Sequence, residues 1–467
     1  MSEKTASEKL KEELFYEPKS AWDRLDEQEI AAADRYCEGY RRFVDDSKTE
    51  REAVLTAIEL AEAKGFRPFD RTQPLKAGDK VYYKNRGKAL LMAVIGTRPI
   101  TDGVSIAAAH IDSPRLDLKP NPLYEDHDLC YFDTHYYGGI KKYQWPTLPL
   151  ALHGVIVRRD GTTVKVCVGE DEGDPVFCVT DLLPHLATAQ MKKTMAEGIK
   201  GEDLNILIGS RPFRDDKGSE LVKLNIMKLL HDKYGIVESD FLSAELEAVP
   251  AFGARDVGFD RSLIGAYGHD DRVCAYPAVT AILETEHPAY TAVTILADKE
   301  EIGSEGNTGM QSAFLKYFIA DIAAAFGAEG RHVLSRSVCL SADVNVALDP
   351  MFMDVIEVRN CAKLNGGVVL TKYTGAKGKS DTNDASAELM GRIRSLMEDG
   401  DVVWQIGELG RVDAGGGGTV AKYIADLDVD TVDLGVPVLS MHAPFEVVAK
   451  LDVYMAHKAF AALLQRQ

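Results

Sequence analysis

The sequence is poor in positive charge and lacks long apolar runs. Its 467 residues carry 54 Lys+Arg against 73 Asp+Glu, a formal net charge of −19. This balance argues against nucleic acids and anionic membranes as partners, because proteins that bind polyanions need a basic face. No stretch approaches the roughly 18 apolar residues of a membrane-spanning helix, and the first residues lack the apolar core of a signal peptide. We therefore expect a cytoplasmic protein.

Paired cysteines are also missing. The seven cysteines are odd in number and scattered, and none belongs to a Cys-x-x-Cys pair. This pattern argues against a disulfide framework and against a thiolate zinc site. Any metal is therefore expected to be held by histidine and carboxylate side chains. With 45% hydrophobic and 27% charged residues, the composition is typical of a globular chain of about two or three domains.

Patterns along the chain divide it into three parts. The first part begins with polar, helical segments such as residues 52–62 and continues into a strand region. From residue 114 to 251, prolines and short β-like runs at residues 152–158 and 163–168 predict a separate β-rich module. After residue 252, strand-length apolar runs alternate with helical segments, which is typical of an α/β layered domain.

Four apolar, strand-like runs end in side chains that can bind metals or transfer protons. Residues 104–109 precede His110 and Asp112, and residues 292–297 precede Glu300 and Glu301. Residues 337–342 precede Asp343, and residues 436–441 precede His442. Ligands of α/β sheets bind outside the carboxyl ends of strands, so side chains from distant segments converge there on one crevice. We therefore expect these residues to form one site.

Paired carboxylates indicate a cation at this site. Asp270 and Asp271 precede a helical segment, and Glu300 and Glu301 repeat the pattern. Adjacent carboxylates repel each other unless a cation lies between them. Two imidazoles with several carboxylates suit zinc, cobalt or manganese better than calcium. Taken singly, each residue is more often a helix cap or a hydrogen-bonded structural group, but their coincidence at four strand ends favours a metal site.

The motifs together resemble those of a known family, the aspartyl aminopeptidase (M18) family of dinuclear metallopeptidases. They occur in the family's order and span nearly the whole chain: His110-Ile-Asp112-Ser-Pro, Asp270-Asp-Arg272, Glu300-Glu301-Ile-Gly-Ser, Ser341-Ala-Asp343 and Met441-His442. The resemblance implies a metallopeptidase-type mixed-sheet α/β catalytic domain formed by residues 1–113 and 252–467. It also implies that the β-rich residues 114–251 are an inserted dimerisation or lid domain.

The same resemblance implies two divalent metal ions per subunit, zinc in the first place, with cobalt or manganese as alternatives. Asp270 would bridge the two ions. His110 and Asp343 would complete one ion's ligands, and Glu301 and His442 would complete the other's.

The implied activity is that of a metal-dependent aminopeptidase, which removes N-terminal residues from small peptides with a water activated by two metals. Glu300 would be the general base that takes the proton of this water and passes it to the leaving amine. Asp112 would orient the imidazole of His110. Glu300 and Glu301 are adjacent, and in extended backbone their side chains diverge, so a bend near Gly303 is expected.

Two further residues concern the substrate. Lys372 occupies the position where the family has a lysine that faces an N-terminal Asp or Glu side chain, although a solvated strand lysine is the alternative. Where the family has Arg-Tyr, this chain has Lys379-Ser380. His185 lies one place after Pro184, earlier than the family's histidine, and either replaces it at a neighbouring subunit's active site or packs locally.

The resemblance also implies a homo-oligomer built from dimers, up to a tetrahedral dodecamer. Two other functions remain open at this point. One is a different co-catalytic metallohydrolase, such as a deacylase or a carboxypeptidase. The other is a catalytically silent assembly or cargo protein, although the intact ligand and base residues argue against it. Nucleotide binding is disfavoured because residues 415–418, all glycine, lack the Gly-Lys-Ser/Thr order of a phosphate-binding loop.

Overall fold

The computed structural model describes residues 4–215 and 217–467. The first part of the chain forms helices α1 (Ala6–Leu14), α2 (Ala21–Arg24), α3 (Glu27–Asp45) and α4 (Glu50–Glu62) and strands β1 (Arg67–Pro68), β2 (Lys80–Asn85), β3 (Ala89–Val94) and β4 (Val104–His110). The middle part forms strands β5 (Arg115–Asp126), β6 (Leu129–Tyr137), β7 (Leu150–Val157), β8 (Thr163–Val168), β9 (Cys178–Val179), β10 (Ile206–Gly209) and β11 (Ala244–Pro250), with helices α5 (Met195–Gly198) and α6 (Leu221–Tyr234).

The last part contains the remaining elements. Its strands are β12 (Arg255–Val257), β13 (Leu263–Ala266), β14 (Thr291–Ala297), β15 (Val338–Ala342), β16 (Asn345–Val346), β17 (Val368–Thr371), β18 (Trp404–Ile406), β19 (Asp430–Gly435), β20 (Pro437–Leu439) and β21 (Glu446–Ala449). Its helices are α7 (His269–Leu283), α8 (Phe314–Ala325), α9 (Gly330–Leu334), α10 (Ala387–Asp399), α11 (Ala421–Ala425) and α12 (Lys450–Leu464).

A nine-stranded mixed sheet forms the centre of the molecule, in the order β1-β2-β3-β14-β4-β15-β19-β17-β18. The four adjacent strands β14, β4, β15 and β19 run parallel to one another. Both faces of this sheet are buried. Side chains alternate between the two faces of a strand, and in β4 Ala107 and Ala109 belong to one apolar cluster, whereas Ile106 and Ala108 belong to another.

Helices cover both faces of this sheet. Side chains of α3, α4, α7, α10 and α12 belong to the first cluster, and side chains of α8, α9 and α11 belong to the second. Local signals explain where these helices begin. At α3, for example, the carboxylate of Asp26 accepts hydrogen bonds from the backbone of Gln28 and Glu29, both at 2.9 Å. The layered arrangement confirms the predicted α/β fold class.

The middle part of the chain forms a second, seven-stranded antiparallel sheet with the order β8-β7-β11-β5-β6-β10-β9. It has its own apolar cluster, which includes the fully buried Trp145. All its strands lie between Arg115 and Pro250, within the range predicted to be β-rich. The division of the chain into domains at residues 113/114 and 251/252 stays a prediction.

A third, five-stranded sheet has the order β12-β13-β21-β20-β16. It contains β20, the strand of the predicted run at residues 436–441. The other three predicted runs belong to the central sheet, whereas Val438 of this run pairs with Val448 of β21 and Val346 of β16. Within the described ranges, no helix is long and apolar enough to cross a membrane.

Candidate metal centre

Three neighbouring strands of the central sheet carry the predicted site residues at their ends. Strand β4 pairs in parallel with β14 on one side and with β15 on the other. His110 is the last residue of β4, Glu300 and Glu301 follow β14, and Asp343 follows β15. Because parallel strands end at the same edge of a sheet, these side chains lie close together.

Asp270 and Asp271 join this edge from the start of α7. Their backbone angles are not helical, and the peptide bond between them is cis. Gly268 precedes them with a φ of 75°, and a side chain there would overlap the guanidinium of Arg272. Both aspartates are buried. The tight turn therefore brings two buried carboxylates next to His110.

The side chains form two groups of three that share Asp270. In the first group, Nε2 of His110 lies 3.1 Å from Oδ1 of Asp270 and 3.7 Å from Oδ1 of Asp343. In the second group, Nε2 of His442 lies 3.2 Å from Oδ2 of Asp270 and 3.6 Å from Oε2 of Glu301. The two oxygens of Asp270 thus face different imidazoles, which is the geometry of a bridging carboxylate.

Backbone carbonyls orient both imidazoles. Nδ1 of His110 lies 3.1 Å from the carbonyl oxygen of Asp112, and Nδ1 of His442 lies 2.8 Å from that of Gly139. A ring nitrogen beside a carbonyl oxygen carries the hydrogen and donates it. In the neutral ring, Nε2 therefore keeps a free lone pair, and it points into the cluster in both histidines.

The carboxylate of Asp112 accepts hydrogen bonds from three directions behind the cluster. The backbone N–H of Glu300 donates to Oδ1 at 3.1 Å, and that of Glu301 donates to Oδ2 at 3.2 Å. The hydroxyl of Tyr137 also donates to Oδ2, at 2.8 Å. Asp112 is fully buried. It therefore connects the strand that ends at His110 with the segment that carries both glutamates.

Glu300 and Glu301 lie on a single 3₁₀ turn, Glu300–Ile302, rather than in extended backbone. Lys299 before the turn and Gly303 after it have positive φ values of 68° and 96°. The expected bend at Gly303 is present, and a second bend precedes it. The turn allows Oε2 of Glu301 to approach His442 while Oε2 of Glu300 lies 3.9 Å from Nε2 of His110.

Burial and mutual repulsion set the charges of the cluster. Burial raises the pKa of Glu300 to about 8, with Asp343 as the main repelling neighbour. Burial together with the charge of Asp270 raises the pKa of Glu301 well above its usual value. Burial would also raise the pKa of Asp270, but the adjacent imidazoles of His110 and His442 hold it below its usual value. Acidic groups that resist ionisation in this way are stabilised as anions by a cation.

The donor atoms fit metal ions. Several polar atoms are buried without a hydrogen-bond partner among the described residues, and they include His110 Nε2, Asp270 Oδ1, Asp271 Oδ1 and Glu301 Oε1. Buried polar atoms without partners are rare in proteins and often indicate an ion. Imidazole nitrogen with carboxylate oxygen is a donor set that zinc accepts.

The sequence did not indicate three residues that hold this centre. Glu446 is buried, and its carboxylate accepts hydrogen bonds from the backbone N–H groups of Asp270 at 3.1 Å and His442 at 2.7 Å. Tyr137 binds Asp112, and Gly139 binds His442. Of these three residues, only Glu446 could be suspected from the sequence, because it is a carboxylate four residues after the predicted ligand His442.

The two predicted substrate residues lie outside both ligand groups. Lys372 follows β17, where the neighbouring Thr371 accepts a hydrogen bond at 2.9 Å from Asn345, two residues after Asp343. Its ammonium pairs with Asp384, whose other oxygen lies 3.0 Å from Nζ of Lys379. His185 is exposed in the middle part of the chain.

Comparisons with known proteins identify the family to which this chain is similar. The family model described as aminopeptidase I zinc metalloprotease (M18) matches residues 43–464. A probable M18 family aminopeptidase 1 from Clostridium acetobutylicum is 51% identical over 460 residues, which cover 97% of this chain and 99% of the relative. The crystal structure of an M18 aminopeptidase from Thermotoga maritima has a TM-score of 0.93 and 42% identity, and the match covers 97% of this chain and 100% of that one.

A more distant solved structure shares the fold. This structure of the mApe1 dodecamer from Saccharomyces cerevisiae is 20% identical, with a TM-score of 0.76 over 93% of this chain and 97% of that one. The family model, the Clostridium relative and the Thermotoga structure confirm the predicted metalloaminopeptidase. None of these three supports a deacylase, a carboxypeptidase or a silent assembly protein. The chain belongs to the M18 aminopeptidase I family of zinc metalloproteases.

Proposed function

We propose that the cluster holds two divalent ions, zinc in the first place and cobalt or manganese as alternatives. Asp270 would serve both ions, with His110 and Asp343 as further ligands of one ion and Glu301 and His442 as further ligands of the other. The observation that carries this proposal is the position of Asp270, whose two oxygens face separate imidazoles at 3.1 and 3.2 Å.

The reaction is the hydrolysis of the first peptide bond of a small peptide. The bound ions supply Lewis-acid chemistry, which activates water, polarises the scissile carbonyl and holds the free N-terminal amine. Glu300 is not a member of either ligand group, so its carboxylate is free to take the proton of the attacking water. It then passes this proton to the leaving nitrogen. Asp112 keeps the turn of Glu300 and the ring of His110 in place.

Two lysines favour an acidic N-terminal residue in the substrate. Lys372 and Lys379 both pair with Asp384, so one carboxylate holds two ammonium groups. The side chain of an N-terminal aspartate or glutamate bound beside these lysines would therefore lie next to a net positive charge. Lys379 supplies this charge in the segment where the family has arginine and tyrosine. The net charge of −19 gives no long-range attraction for such peptides, so the preference must be local.

The remaining proposals concern assembly and location. Residues 114–251 would form a dimerisation domain, and dimers would combine into a larger homo-oligomer, up to a dodecamer as in the distant yeast structure. Exposed His185 would reach the active site of a neighbouring subunit. A cytoplasmic location agrees with the cysteines, because all seven are free.

Substitution of Glu300 tests the catalytic proposal. Glu300→Gln keeps the shape of the side chain but removes the proton acceptor, so we expect turnover to fall by orders of magnitude while bound zinc is retained. Glu305→Gln is the matched control, since Glu305 is exposed on the same segment. Near-normal turnover in Glu300→Gln would exclude Glu300 as the base. Full activity of the wild-type protein after exhaustive chelation would exclude the metal mechanism itself.

A further inference from the structure

A different cluster of metal-ligating side chains lies where helix α4 contacts the seven-stranded sheet. Glu52 of α4, His153 of β7 and Cys167 of β8 offer an oxygen, a ring nitrogen and a sulfur that all lie within 4.8 Å of one another. The cluster shares no residue with the catalytic centre. Glu52 and His153 are buried, whereas Cys167 is exposed, so an ion can enter from solvent.

The sheet places these side chains on one face. His153 and Cys167 lie directly opposite each other in the antiparallel pair β7–β8, and opposite residues project from the same face. Glu52 reaches this face from α4, with its two carboxylate oxygens 3.0 and 3.1 Å from Nδ1 of His153. The three ligand atoms therefore come from three separate elements, which explains why no spacing motif indicated them.

The other ring nitrogen of His153 already has a partner. Nε2 lies 2.9 Å from Oε1 of Glu170, and the ammonium of Lys48 holds Glu170 at 2.7 and 2.9 Å. Zinc-binding histidines generally donate their second N–H to a carboxylate or carbonyl in this way. With Nε2–H bound to Glu170, the lone pair of Nδ1 is directed to the side where Glu52 lies.

An ion at this cluster would meet the deprotonated forms of its ligands. These are the carboxylate of Glu52, the neutral ring of His153 and the thiolate of Cys167, whose ligand atoms already lie within 4.8 Å of one another.

We propose that Glu52, His153 and Cys167 form a metal site separate from the catalytic centre. It takes a borderline-soft divalent ion such as Zn²⁺, with water as the fourth ligand. The ion joins α4, which packs on the central sheet, to the β7–β8 hairpin of the seven-stranded sheet. Its role is to hold these two parts together, and it takes no part in peptide hydrolysis.

Cobalt distinguishes this site from the catalytic centre, because only this site offers a sulfur ligand. We expect the full-length protein loaded with Co²⁺ to show a thiolate-to-cobalt charge-transfer band in the near ultraviolet. Cys167→Ser should abolish the band and lower the bound cobalt by one ion per chain, without loss of peptidase activity. The matched control is Cys178→Ser, which changes a partly exposed cysteine of the same sheet and should keep the band.

Two results would overturn the proposal. One is the absence of a thiolate band in wild-type protein at a cobalt concentration that saturates peptidase activity. The other is a band of full intensity in Cys167→Ser. The catalytic proposal is tested separately by Asp270→Asn, which should remove cobalt from the catalytic centre and leave the thiolate band intact.

Discussion

Replacing Asp112 by asparagine should damage the centre without changing any proposed ligand. The carboxylate accepts hydrogen bonds from the backbone of Glu300 and Glu301 and from the hydroxyl of Tyr137. Its Oδ1 also lies 3.3 Å from Nδ1 of His110. An asparagine has only one carbonyl oxygen, so one of these sides must face an NH₂ group instead.

The cost can be worked out from the two orientations of the amide. With the NH₂ group on the Oδ2 side, the Tyr137 hydroxyl can turn and accept, but the N–H of Glu301 then faces another donor. With the opposite orientation, the NH₂ group faces both the N–H of Glu300 and Nδ1 of His110. In both orientations His110 loses the nearby negative charge. Either way one charge-assisted hydrogen bond is lost, which costs about 2–3 kcal/mol and lowers kcat/KM roughly 30- to 150-fold.

The assay is hydrolysis of aminoacyl p-nitroanilides at saturating zinc, with the zinc content of each variant measured in parallel. Tyr137→Phe is the control, because it removes one neutral donor, keeps the carboxylate and should cost about 1 kcal/mol, or roughly fivefold. Phenylalanine also keeps the ring that lies 3.9 Å from the guanidinium of Arg115. Activity of Asp112→Asn within about threefold of wild type, or a loss in Tyr137→Phe as large as that in Asp112→Asn, would refute the reasoning.

Other predictions concern stability and specificity. Burial would raise the pKa of Glu50, but Arg115 and Lys88 lower it from 4.5 to about 2. The ionised carboxylate therefore stabilises the fold fully above pH 4.5, and this stabilisation is lost as the pH falls towards 2. The difference in free energy of unfolding between wild type and Glu50→Gln should therefore shrink towards pH 2, and a constant difference would contradict this. Phe460→Ala leaves a cavity at a fully buried position. It should lower the free energy of unfolding by about 3–5 kcal/mol, measured by denaturant unfolding of the zinc-loaded protein. A decrease below about 1 kcal/mol would contradict this, because it would mean that neighbouring side chains fill the cavity. Lys372→Ala should lower kcat/KM about 3- to 5-fold for substrates with N-terminal Asp or Glu, since its partly exposed charge is screened; neutral substrates should not change, and an equal loss for both would exclude a role in specificity.

Much of the fold could be predicted because strand and helix patterns are local. The runs that became β4, β14 and β15 are continuous and apolar, as expected for strands buried on both faces. Polar residues directly after such strands then indicate a site at the carboxyl edge. Residues 436–441 lie in a different sheet, which the sequence could not indicate because partner strands are chosen by long-range contacts that an apolar run does not encode.

The residues that support the centre were harder to predict. Gly139 acts through a backbone carbonyl, which every residue has, so its identity carries no signal. Tyr137 is one of 18 tyrosines, and only the folded chain places its hydroxyl beside Asp112. The pairing of Lys372 and Lys379 with Asp384 could not be predicted either, because the charge pattern of a loop does not define which side chains form ion pairs.

The contacts between the two larger sheets explain why the centre needs both of them. Arg115, at the start of the seven-stranded sheet, lies 3.3 Å from Glu50 of α4, so a buried ion pair fixes this sheet against a helix that packs on the central one. The same sheet supplies Tyr137 to Asp112 and the Gly139 carbonyl to His442. The orientation of a ligand in each group therefore depends on the middle part of the chain. A protein without residues 114–251 would lose these contacts even if the central sheet still folded, so the arrangement of the proposed ligands depends on that segment.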